Sequence, residues 1–522
     1  MPKRKITLFE ALIPIFILIV FLAINYRVFG DEAASGSNQF SLILASAVAM
    51  VIAGILKLPF SEVMENVSQN IKDTVPAILI LLLVGALAGT WLLSGIVPAM
   101  IYYGLQILNP TFFLVSAVMI AALVSTATGS SWTTSANIGI ALIGIGNSLG
   151  INAAMTAGAV VSGGYFGDKM SPMSDTTNLA PAVAGTDIIT HIRYMMITTV
   201  PSIIITLVIF LIIGFTTKTQ GTVNPDEILT AITNRFTITP WLFIVPALVL
   251  GLIIRKTPPF VALLIGVLLG AVFAAIFQQD LILELSNKLN GTSATSLTIK
   301  DMYHVGMQSI SNDTNILTGN PILDDRALFS SSGMTGMLST VELIVCAMIF
   351  GGSMQAIGAL RKISRALLSL VSGTASLVGA TIASAFGMNI LASDQYLAIV
   401  VPGKMFSEAY KEKGLAPENL SRSLEDGGTV TSVLIPWNTC GAYHSKVLTV
   451  DVFDYLPFAF FNLISPFMSI AVAALGYKIR YLNRGDKKCP HSISQQVTEY
   501  NNPKPLQSSF YPLFDLSVYP QH

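Results

Sequence analysis

Residues 158–181 read GAVVSGGYFGDKMSPMSDTTNLAP. They close a long run, Thr74 to Gly167, that contains no Asp, Glu, Lys, Arg or His. Water-facing helices cannot be built from such a run, so the chain is expected to lie in lipid. Directly after it come two carboxylates, Asp168 and Asp175, among the small oxygen donors Ser171, Ser174, Thr176, Thr177 and Asn178. Pro172 and Pro181 are expected to break helix on either side. An ionisable residue at membrane depth is costly and is a functional candidate by default.

Composition agrees. The 522 residues are 52% hydrophobic and only 11% charged, less than half the roughly 25% of a soluble globular protein. This excludes an ordinary water-soluble enzyme. It also excludes a disordered chain, which needs low hydrophobicity and high net charge. Lys plus Arg equals Asp plus Glu at 29 each, so no basic excess points to a nucleic-acid partner. Three cysteines are too few for a disulfide framework. Cys346 and Cys440 sit in apolar runs and read as small buried hydrophobes.

A span needs about 20 mainly apolar residues. Candidates are 8–29, 39–56, 75–94, 111–127, 191–215, 239–254, 258–277, 337–357, 366–386 and 455–476. The first is too long for the apolar core of a signal peptide and has no small-residue cleavage site, so it reads as a transmembrane helix. Residues 128–190 and 387–454 are rich in Gly, Ser, Thr, Asn and Pro. They read as broken helices or re-entrant hairpins, which membranes tolerate where protein buries them or a cavity wets them. The basic residues set the orientation. Lys3, Arg4 and Lys5 put the N-terminus inside, and the loop with Asp31 and Glu32 falls outside. Arg255, Lys256, Arg361, Lys362, Arg365, Lys478, Arg480, Arg484, Lys487 and Lys488 then all fall inside. Residues 1–7 form a cytoplasmic N-terminus, 216–238 an external linker, 278–336 a polar irregular external loop and 477–522 a polar cytoplasmic tail.

The two halves, 8–215 and 239–476, resemble each other. Gly163-Gly164 followed by Pro172 matches Gly427-Gly428 followed by Pro436. Ser125–Gly129 is set against Ala383–Gly387, and Trp91–Gly95 against Ser353–Gly358. The first half begins inside and the second outside, so the repeats are expected to be inverted. The predicted fold is an all-α polytopic membrane protein of two inverted repeats with broken helices or re-entrant hairpins, an ion-transporter-like architecture.

A hard cation such as Na⁺ wants several oxygen ligands, mixing carboxylate, hydroxyl, amide and main-chain carbonyl. The 167–181 stretch offers that mixture, and unwound backbone and helix ends add to it. In the second half Asn438 and Thr439 take the places of Ser174 and Asp175, without a carboxylate. Glu425 and Asp426, just before the glycine pair, form either a solvated interfacial face or a gate and proton path. The hairpin tips supply Thr128, Ser130, Ser131, Thr133 and Thr134 in one half, and Asn389, Ser393 and Asp394 in the other. Asp394, flanked by apolar residues, is a second candidate for a membrane-embedded carboxylate. His191 and Arg193 read as interfacial anchors. Glu342 is left without a role, and His444 reads as an inert loop histidine or a proton relay. Gly85 and Gly89 read as a helix-packing pair.

The runs GDKMSPMSDTTNLAPAVAGTDI and LEDGGTVTSVLIPWNTCGAY, with the internal repeat, resemble the NhaC family of sodium/proton antiporters over roughly 8–476. That resemblance implies two inverted repeats with paired hairpins and, as in wider relatives, elevator-type motion and a homodimer. It also implies Na⁺-binding turns, which here are Ser174-Asp175-Thr176 and Trp437-Asn438-Thr439. The first has Asp where relatives have Asn, and the second Trp where they have Ser. Some members of the family exchange malate for lactate, so a small organic anion stands as an alternative substrate.

The expected function is expulsion of cytoplasmic Na⁺, and Li⁺ with it, in exchange for external H⁺. The setting is a bacterial cytoplasmic membrane with both termini inside. Asp175 and Asn438 are the expected Na⁺ ligands, with Ser174, Thr176, Thr177 and Asn178 around them, Asp394 from the other half and Asp168 as a nearby charge. A carboxylate taken out of bulk water holds a proton or a cation but not both. Na⁺, H⁺ and the bilayer are the expected partners, with no cofactor. No GxxxxGK[ST] pattern argues for ATP, and no HExxH or GxSxG pattern for an intramembrane hydrolase.

Overall fold

The computed structural model describes residues 4, 6–29, 36–216, 225–320, 324 and 329–482. Lys3, Lys5, Asp31, Glu32, Arg484, Lys487 and Lys488 lie outside the described residues. Among the described residues, eight helices are long and apolar enough to cross a membrane, or ten when two sharply bent pairs each count as one span. The eight are Leu8–Phe29, Ser37–Ile55, Phe60–Leu93, Pro110–Thr128, Ile188–Thr216, Pro259–Phe277, Thr335–Ala356 and Thr374–Leu391. The bent pairs are Glu227–Arg235 with Pro240–Ile254, and Val452–Phe458 with Phe460–Ala474. The protein is therefore a multi-pass membrane protein built from α-helices.

Phe60–Leu93 packs against Pro259–Phe277 and Leu338–Ala356. Trp91 donates its indole N–H to the Gly266 carbonyl at 3.3 Å. Gly85 and Gly89 are packing positions, as read, but they receive backbone rather than a second apolar helix. A Cβ on Gly85 would lie 2.4 Å from the Gly333 carbonyl oxygen, and one on Gly89 1.8 Å from that of Ser309. The segment 278–336 is thus not an irregular loop. Gln279–Asn290 and Ile299–Ser311 are helices, and Thr314–Asn315 pairs antiparallel with Ser330–Ser331. Thr298 and Asp301 form a capping box that starts the second helix. In 216–238, the linker of the sequence reading, Pro225–Arg235 is helical.

The span expected at 366–386 is displaced to Thr374–Leu391. The cause is local. Ala359–Leu368 is a separate amphipathic helix with Arg361 and Arg365 exposed, and residues 369–373 turn the chain before the apolar helix starts.

The order of elements recurs between the halves. A long helix ends at a left-handed glycine, Gly95 (φ +81°) in one half and Gly358 (φ +74°) in the other. A broken helix follows, then a helix carrying the glycine pair, then a break and a short helix. Phe113–Thr128 breaks at Gly129-Ser130, Ala153–Met170 breaks at Ser171–Ser174, and Asp175–Ala184 follows. Thr374–Leu391 breaks at Ala392–Asp394, Pro417–Leu424 continues through a π turn at Glu425–Thr429 to Ser432, and Thr439–Leu448 follows. The match of Ser125–Gly129 to Ala383–Gly387 is out of register. Gly129 ends a helix, whereas Gly387 lies inside one. The spacing that relates Gly163 to Gly427 instead pairs Ser125 with Asn389, Gly129 with Ser393, Ser130 with Asp394, and Ser174 with Asn438.

Candidate functional site

Each glycine pair lets two helices touch backbone to backbone. A Cβ on Gly163 would meet the Val118 carbonyl oxygen at 2.2 Å, and one on Gly427 would meet the Ile382 Cα at 2.7 Å. The next carbonyl is then bonded sideways by the facing helix. Ser125 Oγ donates to the Gly164 carbonyl at 2.6 Å, and Asn389 Nδ2 donates to the Gly428 carbonyl at 2.6 Å. This close approach brings the two breaks of each half together.

In the first half, Gly129 turns with φ +72° against Met173; a Cβ there would lie 2.7 Å from the Met173 carbonyl carbon. Ser130 caps the next helical turn by accepting from Thr133 N–H at 3.2 Å. That orientation points the N–H and hydroxyl of Ser131 at one oxygen of Asp168, at 3.1 and 2.8 Å. Asp168 is only 7% exposed. The Ser174 hydroxyl lies near the same carboxylate and caps Asp175–Ala184 by accepting from Thr177 N–H at 3.4 Å. It also lies 3.2 Å from Thr176 Oγ1. Thr177 Oγ1 donates to the carbonyls of Asp168 and Lys169 at 3.1 and 3.2 Å. Pro181 does not break helix; it sits within Asp175–Ala184, which ends at Gly185.

Asp175 is the chief correction. It is exposed, because it shares the outward side of its short helix with Asn178, while Thr176 and Thr177 of the same turn face in. Its nearest polar partner is the Tyr396 hydroxyl, which donates to it at 3.4 Å. Asn178 is exposed too, and its amide N–H donates to the carbonyls of Pro172 and Ser174 at 3.0 and 2.7 Å. The buried acid of this motif is Asp168.

In the second half, Ser393 takes the left-handed turn (φ +57°) and accepts from Thr439 N–H through its carbonyl at 3.1 Å. Asp394 is half-buried and serves as a helix cap, accepting from Leu397 N–H at 2.8 Å. Asn438 caps Thr439–Leu448 through Cys440 N–H at 3.0 Å and donates to Asn389, to its carbonyl at 3.2 Å and its amide oxygen at 3.1 Å. Thr439 is buried.

Glu425 and Asp426 are fully buried, not a solvated face. Asp426 is ion-paired with the fully buried Lys169. It also accepts from Ser465 Oγ at 2.5 Å and from Thr198 Oγ1 at 3.1 Å. Among the described residues, both oxygens of Glu425 lack a hydrogen-bond partner; its charged neighbours are Lys169, Asp168 and Asp426. From sequence, Lys169 and Lys404 are the nearby cations, weighed only for the organic-anion alternative, and Thr198 and Ser465 are not singled out. A lysine beside the last residue of a charge-free run was the available signal. His191 is not an interfacial anchor but fully buried, with Nδ1 2.7 Å from Ser421 Oγ. His444 lies in a helix, not a loop, with Nδ1 donating to the Cys440 carbonyl at 2.8 Å.

A cavity of about 900 Å³ opens beside the second break, lined among others by Asn152, Ser332, Pro436, Trp437, Lys446 and Asp451. Asp168 and Asp175 do not line it. No cluster of three or more His, Cys, Asp or Glu ligands for a metal occurs among the described residues. The first break offers one carboxylate, two hydroxyls and main-chain carbonyls. That set suits a weakly held monovalent cation rather than a resident transition metal.

Residues 163–477 match the Na⁺/H⁺ antiporter family. The chain belongs to that family. It is 39% identical to the Na⁺/H⁺ antiporter NhaC of Alkalihalophilus pseudofirmus, over 83% of this chain and 89% of that one. It is 34% identical to the NhaC of Bacillus subtilis, over 83% and 90%. It is 33% identical to the malate-2H⁺/Na⁺-lactate antiporter of B. subtilis, over 93% and 98%. The NhaC resemblance read from the two motifs is thereby borne out, and the family is one of transporters.

Proposed function

We propose that this protein expels Na⁺ from the cytoplasm in exchange for H⁺, and that Asp168 is the group over which the two ions compete. One observation carries the reading. A buried carboxylate, Asp168, is gripped by the N–H and hydroxyl of Ser131 at a helix break, with Ser174 nearby. Near it lie two more buried carboxylates, Glu425 and Asp426, and one buried amine, Lys169, which is ion-paired with Asp426. The pocket therefore carries excess negative charge, which a sodium ion or a proton offsets. Loading one ion displaces the other, so exchange follows from competition at one site.

In this reading Asp175, with Asn178 and Thr176, forms the outer approach to the cradle. Asp394, Asn438 and Thr439 shape the second break and supply neutral oxygens. Two inverted repeats place the two breaks at the same depth. Both termini lie inside a cytoplasmic membrane, as the basic clusters require, and Na⁺ and H⁺ are the ions exchanged.

Everted vesicles with a pH-sensitive dye test it. Na⁺-evoked dequenching disappears in Asp168→Asn and persists, with a raised Na⁺ requirement, in Asp175→Asn. Wild-type dequenching in Asp168→Asn removes Asp168 from the exchange. A second reading, exchange of a small organic anion coupled to the same ions, is favoured by the 33% identity to the malate/lactate antiporter. Labelled malate uptake driven by lactate, without Na⁺-evoked dequenching, would establish it instead.

A further inference from the structure

One buried charge is not used by this exchange. Arg422, on Pro417–Leu424, is fully buried, and among the described residues none of its three guanidinium nitrogens has a hydrogen-bond partner. A buried charge left unpaired is strongly destabilising, and a guanidinium's planar fork matches the two oxygens of a carboxylate or phosphate. The obvious internal partner would be Glu425, whose oxygens are also unpartnered. The two face different surroundings. The π turn that begins at Glu425 sets its carboxylate among Lys169, Asp168 and Asp426. Arg422 instead lies over the Tyr194 ring at 4.7 Å and acts on Tyr410.

The surroundings of Arg422 favour an anion. Arg480 lies over the same Tyr194 ring at 5.2 Å. The acid beside it, Glu418, is engaged by Arg480 at 3.2 Å, which leaves the Arg422 charge uncompensated. The Tyr194 hydroxyl is spent on Asn419 Oδ1 at 2.5 Å, and His191 Nε2, one helical turn away, is buried without a partner. Arg480 is half-exposed and marks the way in. Its carbonyl accepts from Ala416 N–H at 3.0 Å and Asn419 Nδ2 at 2.7 Å, so this short strap must yield for a ligand to enter.

We propose that Arg422 is the floor of a binding site for a small oxyanion, a carboxylate or phosphate group, that enters past Arg480. The test uses the purified full-length protein in nanodiscs of zwitterionic lipid. Thermal unfolding is followed against malate, inorganic phosphate, and added phosphatidylglycerol in separate arms, which tell a free anion from a lipid headgroup. Raised melting temperature in at least one arm is expected. The apparent Kd should rise about tenfold or more in Arg422→Gln and by less in Arg422→Lys, which keeps the charge but loses the fork. The Lys variant also keeps the test open should the Gln variant not fold. Glu425→Gln should still bind. No stabilisation in any arm, or equal stabilisation in wild type, Arg422→Gln and Arg422→Lys, overturns the proposal. So does binding that appears only in Glu425→Gln, since Glu425 would then be the counter-ion. The readout is anion binding, so its failure leaves the Asp168 reading standing, and a wild-type exchange rate in Asp168→Asn leaves this one standing.

Discussion

The two halves use one backbone design and opposite chemistry. Each has a left-handed turn, at Gly129 or Ser393, followed by a capping side chain, Ser130 or Asp394. Each has a second cap, Ser174 or Asn438, at the crossing break. Yet the position of Asp168 in the first half is occupied by Ser432 in the second, and that of Asp426 by Ser162. Ser432 Oγ donates to the Thr429 carbonyl at 2.7 Å, as a hydroxyl can and an ionised carboxylate cannot. The acids have therefore been dealt to different depths of the two halves. They meet because Lys169 of the first half reaches Asp426 of the second. In the reading proposed above, the first break, with its buried acid, takes the cation, and the second is braced by Asn389 and Asn438, with Asp394 used as a helix cap.

The charged break is the place to disable exchange: Asp168→Asn should abolish Na⁺-evoked dequenching while leaving the brace intact. Next in size is the pair that joins the halves. Lys169→Met alone, or Asp426→Asn alone, leaves a buried charge or its hydrogen bonds uncompensated. Either should cost about 3–5 kcal/mol of stability. The double variant Lys169→Met/Asp426→Asn should recover much of that loss, read as melting temperature in detergent. If the double variant is as unstable as the sum of the singles, the pair is not a closed unit and the two halves are not joined there.

The brace should respond more mildly. Asn438→Ala removes a helix cap and two bonds to Asn389. A cap is worth about 1 kcal/mol, so melting shifts modestly and exchange is slowed, not abolished. Abolished exchange in a well-folded Asn438→Ala would make the second break an ion site in its own right. Asp175→Asn probes the outer approach. Because Asp175 is exposed, its charge is screened by water and salt. The Na⁺ concentration for half-maximal dequenching should rise a few-fold, with little change in the maximal response.

Much of this was legible in the residues. The charge-free run 74–167, the glycine pairs and the two motif stretches located both breaks. What could not be read was which acid turns inward. Asp168 and Asp175 lie on opposite sides of one break, and only the capping geometry of Ser174 decides between them. Burial of Lys169 and Arg422 was equally hidden, since a lysine or arginine near a span end reads as an interfacial anchor. The repeat register slipped for a related reason. Ser125 and Asn389 do the same job with different side chains, so identity matching favoured the chance likeness at Gly387.

The smallest expected effect lies outside the membrane-length helices, and it separates pH effects on the fold from pH effects on exchange. The Asp301 carboxyl is held below its ordinary range, first by the Thr298 hydroxyl, then by the Ser286 hydroxyl and the Thr298 N–H. A depressed folded-state value means that this contribution is fully present above the unfolded value, about 3.9. It is lost as pH falls through the lower, folded one. Amide exchange in Ile299–Ser311, corrected for intrinsic rate, should therefore quicken only below about pH 4, and Asp301→Asn should remove that acid limb. Na⁺-evoked exchange in Asp301→Asn should keep the wild-type pH profile across the neutral range. A displaced profile would mean that the flanking helix, which packs against Phe60–Leu93 through Gly89, communicates with the charged break, and the division between a titrating core and a passive rim would fail.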